Sequence, residues 1–200
     1  MAIPQSVQNL KLCYAFKGYK QKVEDCISVT TETEFFIEDN IENKCTVIVE
    51  SPTDDKICKV INILSSEAVL LAIDNKLISN REIADGALFN MDDFHFIEFK
   101  TNAEGNSNKA VSDTYDKAIS QLKSTIDLFE TKLSTVGLDF RNLVNISCHI
   151  IVAETFPRNN AVEITKAMDF ADKTLIPLNF DNEIEPLSNN KQAEFDNQRG

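Results

Sequence analysis

Tryptophan is absent from the 200 residues, histidine occurs only twice, and glycine and proline number five each. So little glycine and proline excludes a collagen-like or low-complexity chain. Two histidines, with five cysteines that form no CxxC pair, exclude the common zinc-binding patterns. An odd cysteine count also argues against a disulfide framework, and reduced thiols in a cytoplasmic protein fit better. No apolar run approaches the roughly 20 residues needed to span a bilayer. The opening MAIPQSVQNLKLCYAFKGYK lacks the uninterrupted apolar core of a signal peptide. The expectation is a cytoplasmic, bacterial protein without a membrane partner. Basic residues are scarce as well: 20 Lys and Arg face 32 Asp and Glu, a net charge of −12. That balance disfavours loose attraction to nucleic acid or anionic lipid, so any polyanion would need a local patch or bound cations.

What is present is an ordinary globular composition, 42% apolar and 26% charged. A single α/β domain over 1–187 and a disordered tail over 188–200 are expected. The spacing of Val7, Leu10, Tyr14, Val23 and Ile27 predicts helix across 5–37. CTVIVE (45–50) predicts a strand. SPTDDKICKVINIL (51–64) predicts a helix, with Ser51 as cap, Pro52 in the first position and Ile57, Val60, Ile61 and Leu64 on one face. AVLLAID (68–74) predicts a strand closed by a turn at Asp74-Asn75. Val111, Tyr115, Ala118, Leu122, Ile126, Phe129, Leu133 and Val136 recur by threes and fours, a long amphipathic helix ended by Gly137. Beyond it, 145–155 predicts a strand, 162–171 a helix and 174–180 a strand. This order of elements implies a mixed central sheet.

The stretch IADGALFNMDDFHFIEFKTN (83–102) carries Asp85, Glu98 and Lys100 within the most apolar segment of the chain. Read as a hairpin around NMDD, it sets Phe89 opposite Phe94 and Asp85 opposite Glu98. The period of two places Asp85, Ala87 and Phe89 on one face, with Phe94, Phe96, Glu98 and Lys100 on the same face of the partner strand. Facing Cβ atoms then lie roughly 4.5–5.5 Å apart. Both faces of this hairpin are apolar, so it should be central and covered. Burying two carboxylates there costs several kcal/mol per ion unless they are compensated. Lys100 supplies one positive charge, and a hard divalent ion, Mg²⁺ or Mn²⁺, held by Asp85 and Glu98 would supply the rest. Such an ion activates water and stabilises a phosphoryl transition state, with Lys100 assisting the water's attack.

An acid on a hairpin followed by Glu-x-Lys at the end of an apolar strand resembles the PD-(D/E)xK, or restriction-endonuclease-like, superfamily. Asp85 matches its first acid, Glu98 its second and Lys100 the lysine of EFK, while Gln121 in QLK is similar to polar residues that some members place near the metal. The resemblance covers roughly Ile83 to Thr155, with Ala84 where the family has proline. It implies a three-layer α/β/α sandwich around a mixed sheet and Mg²⁺-dependent cleavage of nucleic acid. Glu24, Glu32 and Glu34 are candidates for the further acid that members contribute from upstream. The tripeptide alone is weak, because residues 42–44, 54–56, 74–76 and 130–132 also satisfy it.

The alternative reading is a catalytically quiet nuclease-like fold whose acidic surface engages a basic protein, as an accessory or immunity-type module in defence. A homodimer through the 111–136 helix is a third. A plain Glu98–Lys100 ion pair with Asp85 reaching solvent is the structural counterpart of the metal site. His95 and His149 read as satisfied core histidines, neither with a second histidine at ligand spacing. Cys148 and His149, adjacent on a strand, point to opposite faces.

Overall fold

The structure, a computed structural model, describes residues 2–19, 21–40, 42, 44–52, 57–63, 65–79, 81–101, 107–158 and 160–185. In chain order the described elements are α1 (Gln5–Asn9), α2 (Leu12–Ala15), β1 (Ile27–Thr30), β2 (Glu34–Asn40), β3 (Cys45–Val49), β4 (Ile57–Ile61), β5 (Ala68–Ala72), β6 (Gly86–Phe89), β7 (Asp93–Phe99), α3 (Asn108–Ser134), α4 (Phe140–Leu143), β8 (Asn145–Ile151), α5 (Asn160–Thr174), β9 (Leu178–Asn179) and β10 (Glu183–Ile184). The tail expected to be disordered lies outside the described residues.

The strands form two mixed sheets. The larger runs β1-β5-β6-β7-β8-β9 and the smaller β10-β4-β2-β3. Neighbours from β1 to β7 are antiparallel, whereas β8 and β9 run parallel to β7. The hairpin register is the expected one, with Phe89 opposite Phe94 and Gly86 opposite Ile97. Asn90 makes the turn, its side-chain oxygen accepting from Asp92 and Asp93 N–H at 2.8 Å each. A parallel partner needs a crossover, and α3 supplies it between β7 and β8. Ser107 caps α3 by accepting from Ala110 N–H, and Gly137 ends it at φ 77°, with Leu138 N–H returning to Leu133 O at 3.1 Å.

Two hydrophobic cores flank the larger sheet. On one face Ala87, Phe89, Phe94, Phe96 and Cys148 pack against Tyr115, Leu122, Ile126 and Phe129 of α3 and Phe170 of α5. On the other, Leu70, Leu88, Ile97, Phe99 and Ile151 meet Phe35, Ile37, Cys58 and Val60 of the smaller sheet. The protein is therefore mixed α/β, but the layer opposite the helices is a sheet. The expected α/β/α sandwich places helices there, and among the described residues none occupies that face. Gly86 lets the sheets approach, since a Cβ there would meet Thr46 Oγ1 at 2.7 Å. The apolar stripe of α3 lies inside this core.

Two expectations fail for one physical reason. Residues 5–37 hold two short helices and then strands β1 and β2, and 57–61 form strand β4 instead of continuing a helix from Ser51; Leu64 lies outside the described residues. Phe35 and Ile37 point inward while Glu34 is exposed, and Cys58 and Val60 are fully buried opposite Ile37 and Phe35. These are period-two patterns whose inward positions are too few to stand out from the helical spacing. The sheet partner chooses between them. The strand expected over 174–180 shrinks to Leu178–Asn179, because α5 continues to Thr174 and stops where Leu175 takes φ 59°.

Phe94 is the hub of the helix-facing core, with ring centroids 4.8, 4.9, 5.7 and 5.1 Å from Phe89, Phe96, Phe129 and Phe140. Replacing Phe94 by alanine should cost about 3–5 kcal/mol, read as a lower urea midpoint with little change in slope. A loss below about 1 kcal/mol, within the range of surface substitutions, would show that this cluster does not anchor the fold.

Candidate functional site

The acids lie where β6 stops and β7 continues. The ladder ends at Gly86–Ile97, and one residue further Asp85 leaves the strand. Its backbone oxygen accepts from Ile73 N–H at 2.9 Å and Asp74 N–H at 3.2 Å, which ties it to the end of β5. Its side chain takes over the ladder's role: Oδ2 accepts from Phe99 N–H at 2.6 Å. Lys100 N–H instead turns toward β8 and donates to Ile151 O at 2.7 Å.

Glu98 points to the helix face and is 1% exposed. Its Oε1 is paired with Lys100 Nζ, and its Oε2 has no hydrogen-bond partner among the described residues. Lys100 Nζ also donates to Gln121 Oε1 at 2.8 Å, and Gln121 Nε2 donates to Ile83 O at 3.1 Å. The structure thus brings Asp85, Glu98, Lys100 and Gln121 together at one end of the sheet, with Gln121 turned toward the hairpin. The Glu98–Lys100 ion pair is present, but it leaves half of the Glu98 carboxylate unmatched. Asp85 does not simply face solvent.

Thr125 was not legible as part of this arrangement. It is fully buried, its Oγ1 accepts from Ala84 N–H at 2.7 Å and its hydroxyl donates to Gln121 O at 2.8 Å. The only signal in the sequence is a threonine beside Leu122 and Ile126 on the buried stripe of α3. Gln121 and Thr125, one turn apart, clamp the segment 83–85 that presents Asp85.

Burial pushes the Asp85 carboxyl up to about 7; the Phe99 N–H opposes this, and the charge of Asp39 adds to it. Burial also holds Glu98 well above the usual carboxylate range, with the Asp85 charge next in weight and Lys100 opposing. Asp39 on β2 and Asp74 after β5 act on this site, and the Lys100 ammonium acts on all four carboxyls. The upstream acids weighed from sequence sit elsewhere. Glu24 lies beside Cys13, Glu34 pairs with Lys59 at 2.9 Å and Glu32 is exposed.

Four carboxyls around one ammonium leave surplus negative charge in a partly dehydrated place. Among the described residues no three His, Cys, Asp or Glu side chains are grouped to hold a metal ion. The donor set is two hard carboxylates, Asp85 and the unmatched oxygen of Glu98. It suits Mg²⁺ or Mn²⁺, which take one or two carboxylates and fill the remaining positions with water and substrate oxygens.

The raised Asp85 carboxyl gives a signed pH dependence. Its folded value near 7 exceeds the unfolded 3.8, so its contribution is fully present below 3.8 and lost as pH rises through 7. Asp85→Asn keeps an acceptor for Phe99 N–H and removes the charge. In chelator at pH 8 it should raise unfolding free energy by roughly 1–3 kcal/mol, and the gain should shrink toward pH 4. Equilibrium denaturation at both pH values measures this, and a destabilised variant at pH 8 would show that the Asp85 charge is already compensated. Against known proteins the chain stands apart: no family model, no curated protein and no solved structure matches it.

Proposed function

We propose that the protein is a Mg²⁺- or Mn²⁺-dependent phosphodiester hydrolase, a nuclease of the PD-(D/E)xK type. The observation that carries this reading is the buried Glu98 carboxylate with one unmatched oxygen, set beside Asp85 and bridged through Lys100 to Gln121. The topology supports it: antiparallel β5-β6-β7, then α3, then β8 parallel to β7, is similar to the strand-strand-helix-strand core of that superfamily. In this reading Asp85 and Glu98 hold the ion. A bound divalent ion supplies an activated water and neutralises charge on the phosphate. Lys100, held by Glu98 on one side and Gln121 on the other, orients that water or meets the developing phosphoryl charge. Gln121 and Thr125 fix the geometry through Ile83 and Ala84. The net charge of −12 favours one other reading, an acidic module that binds a basic protein; there Asp85→Asn leaves partner binding unchanged.

Calorimetric titration with Mn²⁺ should show saturable binding to the wild type and loss of it in Glu98→Ala. Lys100→Ala should still bind the ion while cleavage of DNA or RNA falls by roughly 10²–10⁴-fold. A folded wild type that neither binds Mn²⁺ nor cleaves any nucleic acid would falsify the hydrolase reading.

A further inference from the structure

A chain of net charge −12 needs a local basic patch to hold a polyanion, and the N-terminal segment carries one. Residues 1–23 contain Lys11, Lys17, Lys20 and Lys22 and no Asp or Glu, with Tyr14, Phe16 and Tyr19 interleaved. Helices α1 and α2 are about one turn each, and the chain bends between them at Lys11, which takes φ 48°. A non-glycine residue in that left-handed conformation persists only where its surroundings hold it. Lys11 Nζ does so by donating to Val136 O at 3.2 Å, beyond the last turn of α3. Gly18 turns the chain again at φ 94°.

The core fixes this segment from one side. Phe16 is buried, with its ring centroid 4.8 Å from Phe129 and 5.5 Å from Tyr19, and Lys132 Nζ lies 4.9 Å from the Tyr19 centroid. The other side is a groove of about 1050 Å³, lined by Lys11, Tyr14, Lys17, Tyr19 and Lys22 among others. Glu24, the one acid among its described lining residues, lies against the Cys13 thiol. Lys17 and Lys22 are exposed, and neither ammonium has a partner among the described residues. Tyr14 is 73% exposed. Free ammonium groups beside a bare aromatic ring are the combination that takes up phosphates and unstacked bases together.

We propose that this groove binds single-stranded nucleic acid, with Lys17 and Lys22 on its phosphates and a base stacked on Tyr14. A duplex hides the faces of its bases, so the exposed ring selects an unpaired strand. An anionic membrane takes an amphipathic helix with a long apolar face, which helices of five and four residues do not provide. Lys132 and Gln121 stand about 17 Å apart along the α3 axis, so the groove is separate from the ion site and its binding needs no divalent ion.

Fluorescence anisotropy with a labelled single strand of about 12 nucleotides, in EDTA, tests this. The wild type should bind, with an affinity that falls as salt rises. The double variant Lys17→Glu/Lys22→Glu should weaken binding of every sequence alike and flatten the log–log salt dependence by about 1.4. Tyr14→Ala should lose roughly 5–150-fold, whereas Lys173→Glu, at an exposed lysine of α5 outside the groove, should bind as the wild type does. If a variant loses its native circular dichroism, the wild type still decides, because a stacked base must move the Tyr14 ring-proton resonances upfield. No binding at low salt, unmoved Tyr14 resonances, a duplex that competes as well as the single strand, or tighter binding to phosphatidylserine vesicles would each overturn the proposal. Because the assay contains no divalent ion, its failure leaves the hydrolase reading intact. A protein that binds the strand but neither binds Mn²⁺ nor cleaves nucleic acid supports the groove alone.

Discussion

Strand β7 is buried along its whole length and on both faces, and the chemistry of this protein follows from that constraint. All seven residues from Asp93 to Phe99 are out of solvent. Four are apolar and build the two cores. The other three, Asp93, His95 and Glu98, must find partners inside the protein or remain costly. Asp93 receives a hydrogen bond from Asn145 at 3.0 Å. Glu98 is half answered by Lys100, and His95 is half answered by His149 and Ser147. The unmatched halves, Glu98 Oε2 and His95 Nε2, lie on opposite faces of one strand.

The local part of this was legible in the sequence. A turn rich in Asn and Asp between two phenylalanine-rich runs fixes the hairpin register, and the register fixes which face Asp85, Glu98 and Lys100 share. The eight apolar positions from Val111 to Val136 give α3, and with it the parallel crossover that brings Gln121 to Lys100. These signals work because each is repeated over several residues with one period. The smaller sheet was not legible, because β2 and β4 are short and each inward position matches a helical spacing as well as a strand. What separates the two readings is the pairing of Phe35 with Val60 and of Ile37 with Cys58, a contact between distant segments.

The histidines show the same limit from the other side. Each was correctly placed on an apolar strand, but their meeting depends on the parallel register of β7 against β8, which aligns His95 with Ser147. No local pattern encodes that alignment. It is set by the length of α3 and the loops flanking it. Asp39 and Asp74 were missed for a similar reason: one comes from the second sheet and the other from a turn, and only the folded chain places both near Asp85.

Charge decides between a site and a mere collection of strand-end acids. If the surplus carboxyls were surface charges, water would screen them and their protonation would be ordinary. Here burial raises Asp85 into the neutral range and holds Glu98 well above the usual carboxylate range, so Asp85 keeps a proton through part of the physiological range. A divalent ion would displace that proton and turn a destabilising carboxyl pair into a ligand pair, so ion binding and stability become coupled. The same coupling separates the two functional readings. A protein-binding module needs its acids outside, where a basic partner can reach them. Glu98, inside and facing α3, lies beyond the reach of any partner larger than an ion, a water molecule or a single reacting group.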